Sequence, residues 1–79
     1  GQICNYCGST EKLALDHIFP QKLGGKDDAE NLIFACRTCN SSKGKKDLME
    51  WMAFRGQFLP LMIIRRYLKL IFNYCNENG

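Results

Sequence analysis

The chain has 79 residues, of which 46% are hydrophobic and 24% are charged, and its formal net charge is +3. A core of this size supplies only about 3–5 kcal/mol, so we expect one domain over residues 1–79 with an additional stabilising device. The composition excludes a disordered chain and a membrane protein. The most apolar stretch, residues 58–72, contains Arg65 and Arg66 and is shorter than the roughly 18 uncharged residues of a bilayer span.

Positive charge is concentrated in the carboxyl half. Residues 43–79 carry seven Lys/Arg against three Asp/Glu, whereas residues 1–42 carry four against five. Such a surface attracts polyanions, including nucleic acid, although it is also common on solvated proteins. The first residues show no basic segment followed by an apolar one, so we expect a cytoplasmic (intracellular) protein.

Four of the five cysteines form two pairs with the same spacing, Cys4-x-x-Cys7 and Cys36-x-x-Cys39. Two such pairs suit tetrahedral coordination of zinc by four thiolates. The alternative is two disulfides in a secreted protein, which the close spacing and the missing signal pattern disfavour. A structural Zn²⁺ is therefore predicted as the stabilising device, and Cys75 is predicted to be a core residue rather than a fifth ligand.

The interval between the two cysteine pairs is long for a zinc finger, which indicates that other structure is built within it. Residues 13–19 are short, mixed and followed by Pro20, which favours a strand in which Asp16 and His17 project to opposite faces. Gly24 and Gly25 predict a turn without chemistry of its own, and residues 27–30 can form one helical turn. The apolar run 32–35 then predicts a second strand, with Asn31 at its entrance.

Three helices are predicted after the second strand. Residues 40–43 can open the first, since Asn and Ser cap exposed amides, and Gly44 weakens its continuation. Residues 47–50 match a capping box for the second, which should bury Leu48, Trp51 and Met52. Pro60 opens the third, whose apolar residues recur at helical spacing and are predicted to pack inward: Leu61, Ile64, Leu68, Ile71, Phe72 and Cys75. The aromatic side chains of this portion are predicted to be core residues: Trp51, Phe54, Phe58, Tyr67, Phe72 and Tyr74.

The order and spacing of these motifs over residues 4–46 resemble the HNH nuclease family. The matching segments are Cys4-x-x-Cys7, Asp16-His17-Ile18-x-Pro20, Gly24-Gly25-x-Asp27, Asn31-Leu32 and Cys36-x-x-Cys39-Asn40-x-x-Lys43. The resemblance implies an α+β fold: a small zinc-stapled ββα-metal domain around one catalytic divalent cation, with DNA as the usual substrate. Residues 47–78 lie outside the motif and are predicted to be supporting helices.

The resemblance also implies the roles of individual residues. An imidazole is largely unprotonated at about pH 7, so His17 is the candidate general base, and the resemblance assigns Asn31 to hold its ring through the amide oxygen. Asp16 and Asn40 are the candidate ligands of a catalytic Mg²⁺ or Mn²⁺, which prefers oxygen donors. Asn40 replaces the histidine often found there, and its alternative interpretation is a helix cap. The family implies 5′-phosphate and 3′-hydroxyl products.

Basic residues around the second cysteine pair are predicted to contact DNA phosphates, with a solvated helix end as the alternative. They are Arg37, Lys43, Lys45 and Lys46. A second functional hypothesis is a zinc-finger module that binds nucleic acid or protein without cutting, which would have no need for Asp16, His17 and Asn31. A third, compatible with nuclease activity, is a domain that docks other domains or subunits of a larger assembly through the helix after Pro60.

Overall fold

The computed structural model describes residues 2–78. Two strands, β1 and β2, precede three α-helices, α1 to α3, and two short 3-10 turns lie between the strands. The elements are β1 (Leu13–His17), the turns Gln21–Leu23 and Ala29–Asn31, β2 (Leu32–Cys36), α1 (Arg37–Lys43), α2 (Leu48–Arg55) and α3 (Leu61–Asn78). This confirms the predicted α+β fold and the predicted order of strand, loop, strand and helix.

The two strands form an antiparallel sheet in which Leu15 is paired with Phe34 and Asp16 with Ile33. Side chains of successive strand residues alternate between the faces of a sheet. Ile33 and Ala35 are buried on one face, whereas Leu15 is 59% exposed on the other. The sheet therefore covers the core with one face only, and Asp16 belongs to the inner face.

The loop between the strands returns sharply at the predicted glycine turn. The amide of Gly25 donates to the Pro20 carbonyl at 2.9 Å, and a Cβ atom at Gly25 would lie 1.8 Å from the carbonyl oxygen of Phe19. Any side chain at Gly25 would thus displace the backbone that follows β1. Gly24 has φ 121°, a conformation that favours glycine.

Helix α1 begins three residues earlier than predicted. Its N-cap is Cys36, whose sulfur accepts a hydrogen bond from the Cys39 amide at 3.4 Å, so the turn of the cysteine pair is itself the first helical turn. Asn40 consequently lies within the helix, and the helix-cap interpretation of Asn40 is wrong. The helix ends at Lys43, followed by Gly44 with φ 52°, as its sequence predicts.

The predicted start of α2 is confirmed. The Asp47 carboxylate accepts hydrogen bonds from the amides of Met49 and Glu50, which satisfies two free donors of the first turn. Leu48 and Trp51 are buried, and Met52 packs against the core beside them. The buried hydrophobic residues that form the core come from both ends of the chain: Cys4, Tyr6, Ile18, Ile33, Ala35, Cys36, Cys39, Leu48, Trp51, Leu59, Ile63 and Tyr67.

Helix α3 follows Pro60 as predicted, but its predicted inward face is largely wrong. The buried residues are Ile63 and Tyr67, whereas Leu68 is 53% exposed and Phe72 is 64% exposed. Leu61 and Cys75 are exposed as well, and of the predicted face only Ile64 and Ile71 pack against the core. Apolar residues occupy more than one side of this helix, so periodicity alone does not select the buried side.

Two of the six aromatic residues predicted for the core, Trp51 and Tyr67, are buried. Phe54, Phe58 and Phe72 are exposed, and Tyr74 is half-buried against Phe19. Tyr67 is selected for the core by a polar contact, because its hydroxyl donates to the Asp47 carboxylate that caps α2. Within residues 2–78, no helix has the length and apolar character needed to cross a membrane.

Candidate active site and zinc site

The four paired cysteines converge although 28 residues of sequence separate the two pairs. Their sulfur atoms all lie within 4.8 Å of one another, and those of Cys7 and Cys36 are 3.6 Å apart. Four sulfurs around zinc at about 2.3 Å stand roughly 3.8 Å apart, so this donor set fits one tetrahedral ion. All four are free thiols, which is contrary to the disulfide alternative.

The two cysteine pairs are joined to the sheet as well as to each other. Asn5, in the first pair, donates its amide to the Phe34 carbonyl at 2.8 Å, and its side-chain oxygen accepts from the Phe34 amide at 3.0 Å. The second pair is the junction of β2 and α1. The cluster therefore fixes the start of the chain, the end of β2 and the start of α1 as one unit.

The surroundings of the clustered thiols change their pKa values in different directions. Burial raises the pKa of the Cys4 thiol, but backbone hydrogen bonds, that of Cys36 first, outweigh it and lower this pKa to about 7. Burial raises the pKa of Cys39 well above its ordinary value. Because thiolate is the form that binds zinc, a bound cation is what allows such crowded, buried thiols to ionise together.

Asp16 lies near the end of β1, with its carboxylate turned toward the first cysteine pair and α1. The Tyr6 hydroxyl donates to Oδ2 at 2.9 Å, and the Lys43 ammonium lies 3.4 Å from the same oxygen. Burial first, and then the Asp16 charge, raise the pKa of the Tyr6 phenol far above its ordinary value, so it stays a donor at neutral pH. Among residues 2–78, both contacts to Asp16 use Oδ2 and leave Oδ1 for another ligand.

Lys43 is buried at 1% exposure and is an internal link rather than a free phosphate contact. Its ammonium donates to the His17 carbonyl at 2.8 Å in addition to its contact with Asp16. Burial lowers the pKa of Lys43, partly opposed by the Asp16 charge. The prediction that Lys43 contacts DNA is therefore wrong, because α1 directs this side chain into the end of β1.

His17 follows Asp16 and has different neighbours, as alternating strand residues do. Its Nε2 lies 3.0 Å from Oδ1 of Asp27, in the loop between the strands. Asp27 belongs to the motif segment Gly24-Gly25-x-Asp27, but its sequence position alone predicted no role for it. In the neutral ring, Nε2–H donates a hydrogen bond to the Asp27 carboxylate, and the other ring nitrogen, Nδ1, then carries the lone pair.

Asn31 is completely buried, but it does not hold the His17 ring as predicted. Its Oδ1 accepts from the Phe19 amide at 2.7 Å, and its Nδ2 donates to the carbonyls of Phe19 and Lys26 at 2.9 and 2.8 Å. These three bonds occupy the amide fully. Asn31 thus ties both ends of the loop that carries Asp27, and it can affect His17 only through that loop.

Asn40 stands on the side of α1 that faces the end of β1. Residues three apart share a helix face, and Lys43, three residues later, contacts both Asp16 and the His17 backbone. Asn40 is half-buried, and its backbone carbonyl accepts from Gly44 at 2.9 Å. This placement is compatible with a second oxygen donor beside Asp16.

A cavity of about 170 Å³ lies over these residues. Asp16 and His17 form part of its wall, together with two exposed lysines, Lys22 and Lys45. Its lining residues are Asp16, His17, Pro20, Gln21, Lys22, Lys43, Gly44 and Lys45. Lys22 was not among the predicted contacts, because its distance in sequence from the second cysteine pair hid its proximity to Lys45.

The other predicted phosphate contacts differ in accessibility. Arg37 is exposed beside the second cysteine pair. Lys46 is half-buried: its ammonium donates to the Ser42 carbonyl at 3.1 Å and lies 5.4 Å from the centre of the Phe54 ring. Of the three, Lys45 alone lines the cavity over Asp16 and His17.

Comparison with known proteins identifies the family of this site. The model of the HNH endonuclease family matches residues 4–46. The chain is 38% identical over 52 residues to the CRISPR-associated endonuclease Cas9 of Corynebacterium diphtheriae, covering 61% of this chain and 5% of the relative. It is also 38% identical over 55 residues to the Cas9 of Actinomyces naeslundii, covering 65% of this chain and 5% of the relative.

The chain thus spans about 5% of the length of these curated relatives. No solved structure matches it significantly. The matched residues contain both cysteine pairs and the candidate site residues Asp16, His17, Asn31 and Asn40. The family match covers more than half of the 79 residues, and on this ground the chain belongs to the HNH endonuclease family.

Proposed function

We propose that this chain is a nuclease domain that hydrolyses DNA phosphodiester bonds with one catalytic divalent cation. The observation that carries the proposal is the cavity that Asp16 and His17 line together with two exposed lysines, Lys22 and Lys45. A phosphate drawn to the two lysines would approach a histidine and a carboxylate at the same time. This combination serves hydrolysis, whereas a module that only binds has no use for the central pair.

His17 is the proposed general base. Asp27 accepts a hydrogen bond from Nε2–H, so Nδ1 is the nitrogen free to remove a proton from an attacking water. Asp27 thereby takes over the orienting role that the sequence assigned to Asn31. Asn31 keeps an indirect role, because it fixes the loop from which Asp27 reaches the histidine.

Asp16 and Asn40 are the proposed ligands of the catalytic ion. The donors on offer are Oδ1 of Asp16 and the amide oxygen of Asn40, and such hard oxygen donors suit Mg²⁺ or Mn²⁺, which keep several waters when bound. When bound, this ion would stabilise negative charge on the phosphate and the leaving oxygen. The Lys43 ammonium shares the Asp16 charge from the Oδ2 side and so moderates the affinity for the ion.

Phosphate binding is proposed for Lys22, Lys45 and Arg37. Lys22 and Lys45 are exposed on the cavity wall, and Arg37 is exposed at the neighbouring cysteine pair. Such contacts position the nucleic acid without reading its sequence. The size of the Cas9 relatives supports a further proposal, that this domain works with other domains or subunits of a larger nuclease.

The test is cleavage by the zinc-loaded domain of plasmid, single-stranded DNA and RNA. Each substrate is incubated with Mg²⁺, with Mn²⁺ and with no added divalent ion, and the products are examined for 5′-phosphate and 3′-hydroxyl ends. We expect ion-dependent cutting of DNA with those ends. Cutting that is independent of the added ion, or no cutting of any substrate, would contradict the proposal.

A further inference from the structure

We propose that Tyr6 is a positioning residue for the catalytic ion, holding the Asp16 carboxylate so that only Oδ1 is presented to the cation. The inference rests on the proposed function, because it takes Asp16 to be an ion ligand. It goes beyond that function by connecting the zinc site to the catalytic site through one side chain. No part of the sequence motif assigns a role to this position.

Tyr6 lies inside the first cysteine pair, between Cys4 and Cys7. It is 4% exposed, and its hydroxyl donates to Oδ2 of Asp16 at 2.9 Å. The backbone on both sides of Tyr6 is thus fixed by cysteines of the zinc cluster. Any ion that orders this cluster also sets the position of the phenol relative to β1.

The ring of Tyr6 is held from the other side by α2 and α1. It packs edge-on against Trp51, with ring centres 4.9 Å apart and an interplanar angle of 81°. The Trp51 indole in turn donates to the Ser42 hydroxyl at 2.9 Å, on the helix that carries Asn40. One continuous set of contacts therefore runs from the first cysteine pair to Asp16 and to the helix that carries Asn40.

The hydrogen bond selects one carboxylate oxygen for the ion. Oδ2 already has the phenol and the Lys43 ammonium as neighbours, so a cation at Asp16 is left with Oδ1. A single-oxygen contact suits a small ion that keeps most of its waters. Loss of a hydrogen-bond partner behind a metal ligand typically reduces metal affinity by about 10–100-fold.

Tyr6→Phe tests this idea, because it removes the hydroxyl and keeps the ring against Trp51. Tyr67→Phe is the matched control: Tyr67 is also buried, at 6% exposed, and its hydroxyl also donates to an aspartate, but that aspartate caps α2. Asp16→Asn removes the negative charge of the proposed ligand. The measurement is Mn²⁺ binding to the zinc-loaded proteins without DNA, followed by the electron paramagnetic resonance signal of free Mn²⁺, with zinc content and unfolding midpoint determined alongside.

We expect Tyr6→Phe to weaken Mn²⁺ binding by about tenfold with zinc content unchanged, whereas Tyr67→Phe binds like wild type. Wild-type affinity in Tyr6→Phe, with binding lost in Asp16→Asn, would overturn the role of Tyr6 and leave the ion site standing. Equal weakening in both tyrosine variants would also overturn it, since the cause would then be general loss of stability. Wild-type affinity in Asp16→Asn would instead overturn the proposed ion site.

Discussion

The two parts of this molecule are stabilised by different kinds of interaction. In residues 4–46, polar side chains are buried in directional contacts: Asn31 is completely buried with three hydrogen bonds, and Lys43 is 1% exposed between a carboxylate and a carbonyl. In α3, large apolar side chains remain in solvent, including Phe72 at 64% exposed. Directional hydrogen bonds in the first part are satisfied by one arrangement of the chain, whereas the apolar contacts of α3 are compatible with several orientations of the helix.

This difference indicates which part of the chain is most sensitive to substitution. Several of these contacts converge on the end of β1, where Asp16 and His17 lie, and the cysteine cluster fixes the segments that supply Tyr6 and Lys43. The exposed side of α3 contributes nothing to that convergence. Substitutions should therefore have large effects at buried polar positions of the first part and small ones on the exposed apolar face of the helix.

The largest effect is expected from Cys36→Ser. Zinc binding contributes about 10–16 kcal/mol at structural sites, which exceeds what a core of this size supplies. Loss of one thiolate should remove most of this free energy. Circular dichroism and zinc analysis should show an unfolded, zinc-poor protein. Cys75→Ser is the control, because Cys75 is exposed and outside the cluster, and it should match wild type. A folded Cys36→Ser domain would show that zinc is dispensable for the fold.

Asn31→Ala should destabilise the domain by about 4 kcal/mol. It leaves the Phe19 amide and the carbonyls of Phe19 and Lys26 without their partner in a buried setting. Denaturant unfolding provides the measurement, with the exposed Asn76→Ala as the comparison, expected to change stability by less than about 0.5 kcal/mol. Similar unfolding midpoints for the two variants would show that the hydrogen bonds of Asn31 do not stabilise the loop beside the site.

The buried side of α3 can be distinguished from its exposed side by two substitutions in the same helix. Ile63→Ala should cost about 3 kcal/mol, since Ile63 is completely buried and a cavity would remain. Phe72→Lys should change the free energy of unfolding by less than about 0.5 kcal/mol. A larger loss of stability in Phe72→Lys than in Ile63→Ala, by thermal or denaturant unfolding, would show that the face predicted from periodicity is the buried one.

Alkaline pH should weaken the fold through Tyr6 and Tyr67. Burial first, and then a neighbouring aspartate, raise the pKa of both phenols above the ordinary value of 10.0. The stabilisation by each phenol is complete below about pH 10. Above that pH the tyrosines ionise in the unfolded chain before they ionise in the folded one, so the free energy of unfolding falls by up to about 1.4 kcal/mol per pH unit for each tyrosine. Between pH 10 and 11 wild type should lose more stability than the Tyr6→Phe, Tyr67→Phe double variant. Parallel losses would show that other groups govern alkaline unfolding.

The structure is easiest to predict from the sequence where metal coordination requires a fixed spacing of ligand residues. Two cysteine pairs admit one metal geometry, so the zinc cluster and the order of strands and helix follow from the sequence alone. The partners of Asn31 and His17 could not be predicted, because they depend on how the loop after Phe19 closes at Gly25. The burial of Lys43 runs against the usual exposure of lysine.

Helix α3 shows the opposite case. Its apolar residues permit more than one buried face, and the residues that are buried are Ile63 and Tyr67. The Tyr67 hydroxyl contacts Asp47, and the hydrophobic periodicity of the helix does not predict such a polar contact. The division of the chain into a motif core and supporting helices within one domain stays a prediction. The catalytic roles of Asp16, His17 and Asn40 are proposals, and Asn31 acts through the loop that carries Asp27.

The role of His17 as general base is tested most directly by the rate of Mn²⁺-dependent plasmid nicking by zinc-loaded wild type and His17→Ala. His17 is half-buried, and its side chain contacts the exposed Asp27 carboxylate, so the variant should keep its fold and zinc. A general base contributes about 10²–10⁴-fold, so nicking should fall by at least about 100-fold. An equal rate in the two proteins, or no nicking by either, would contradict the account.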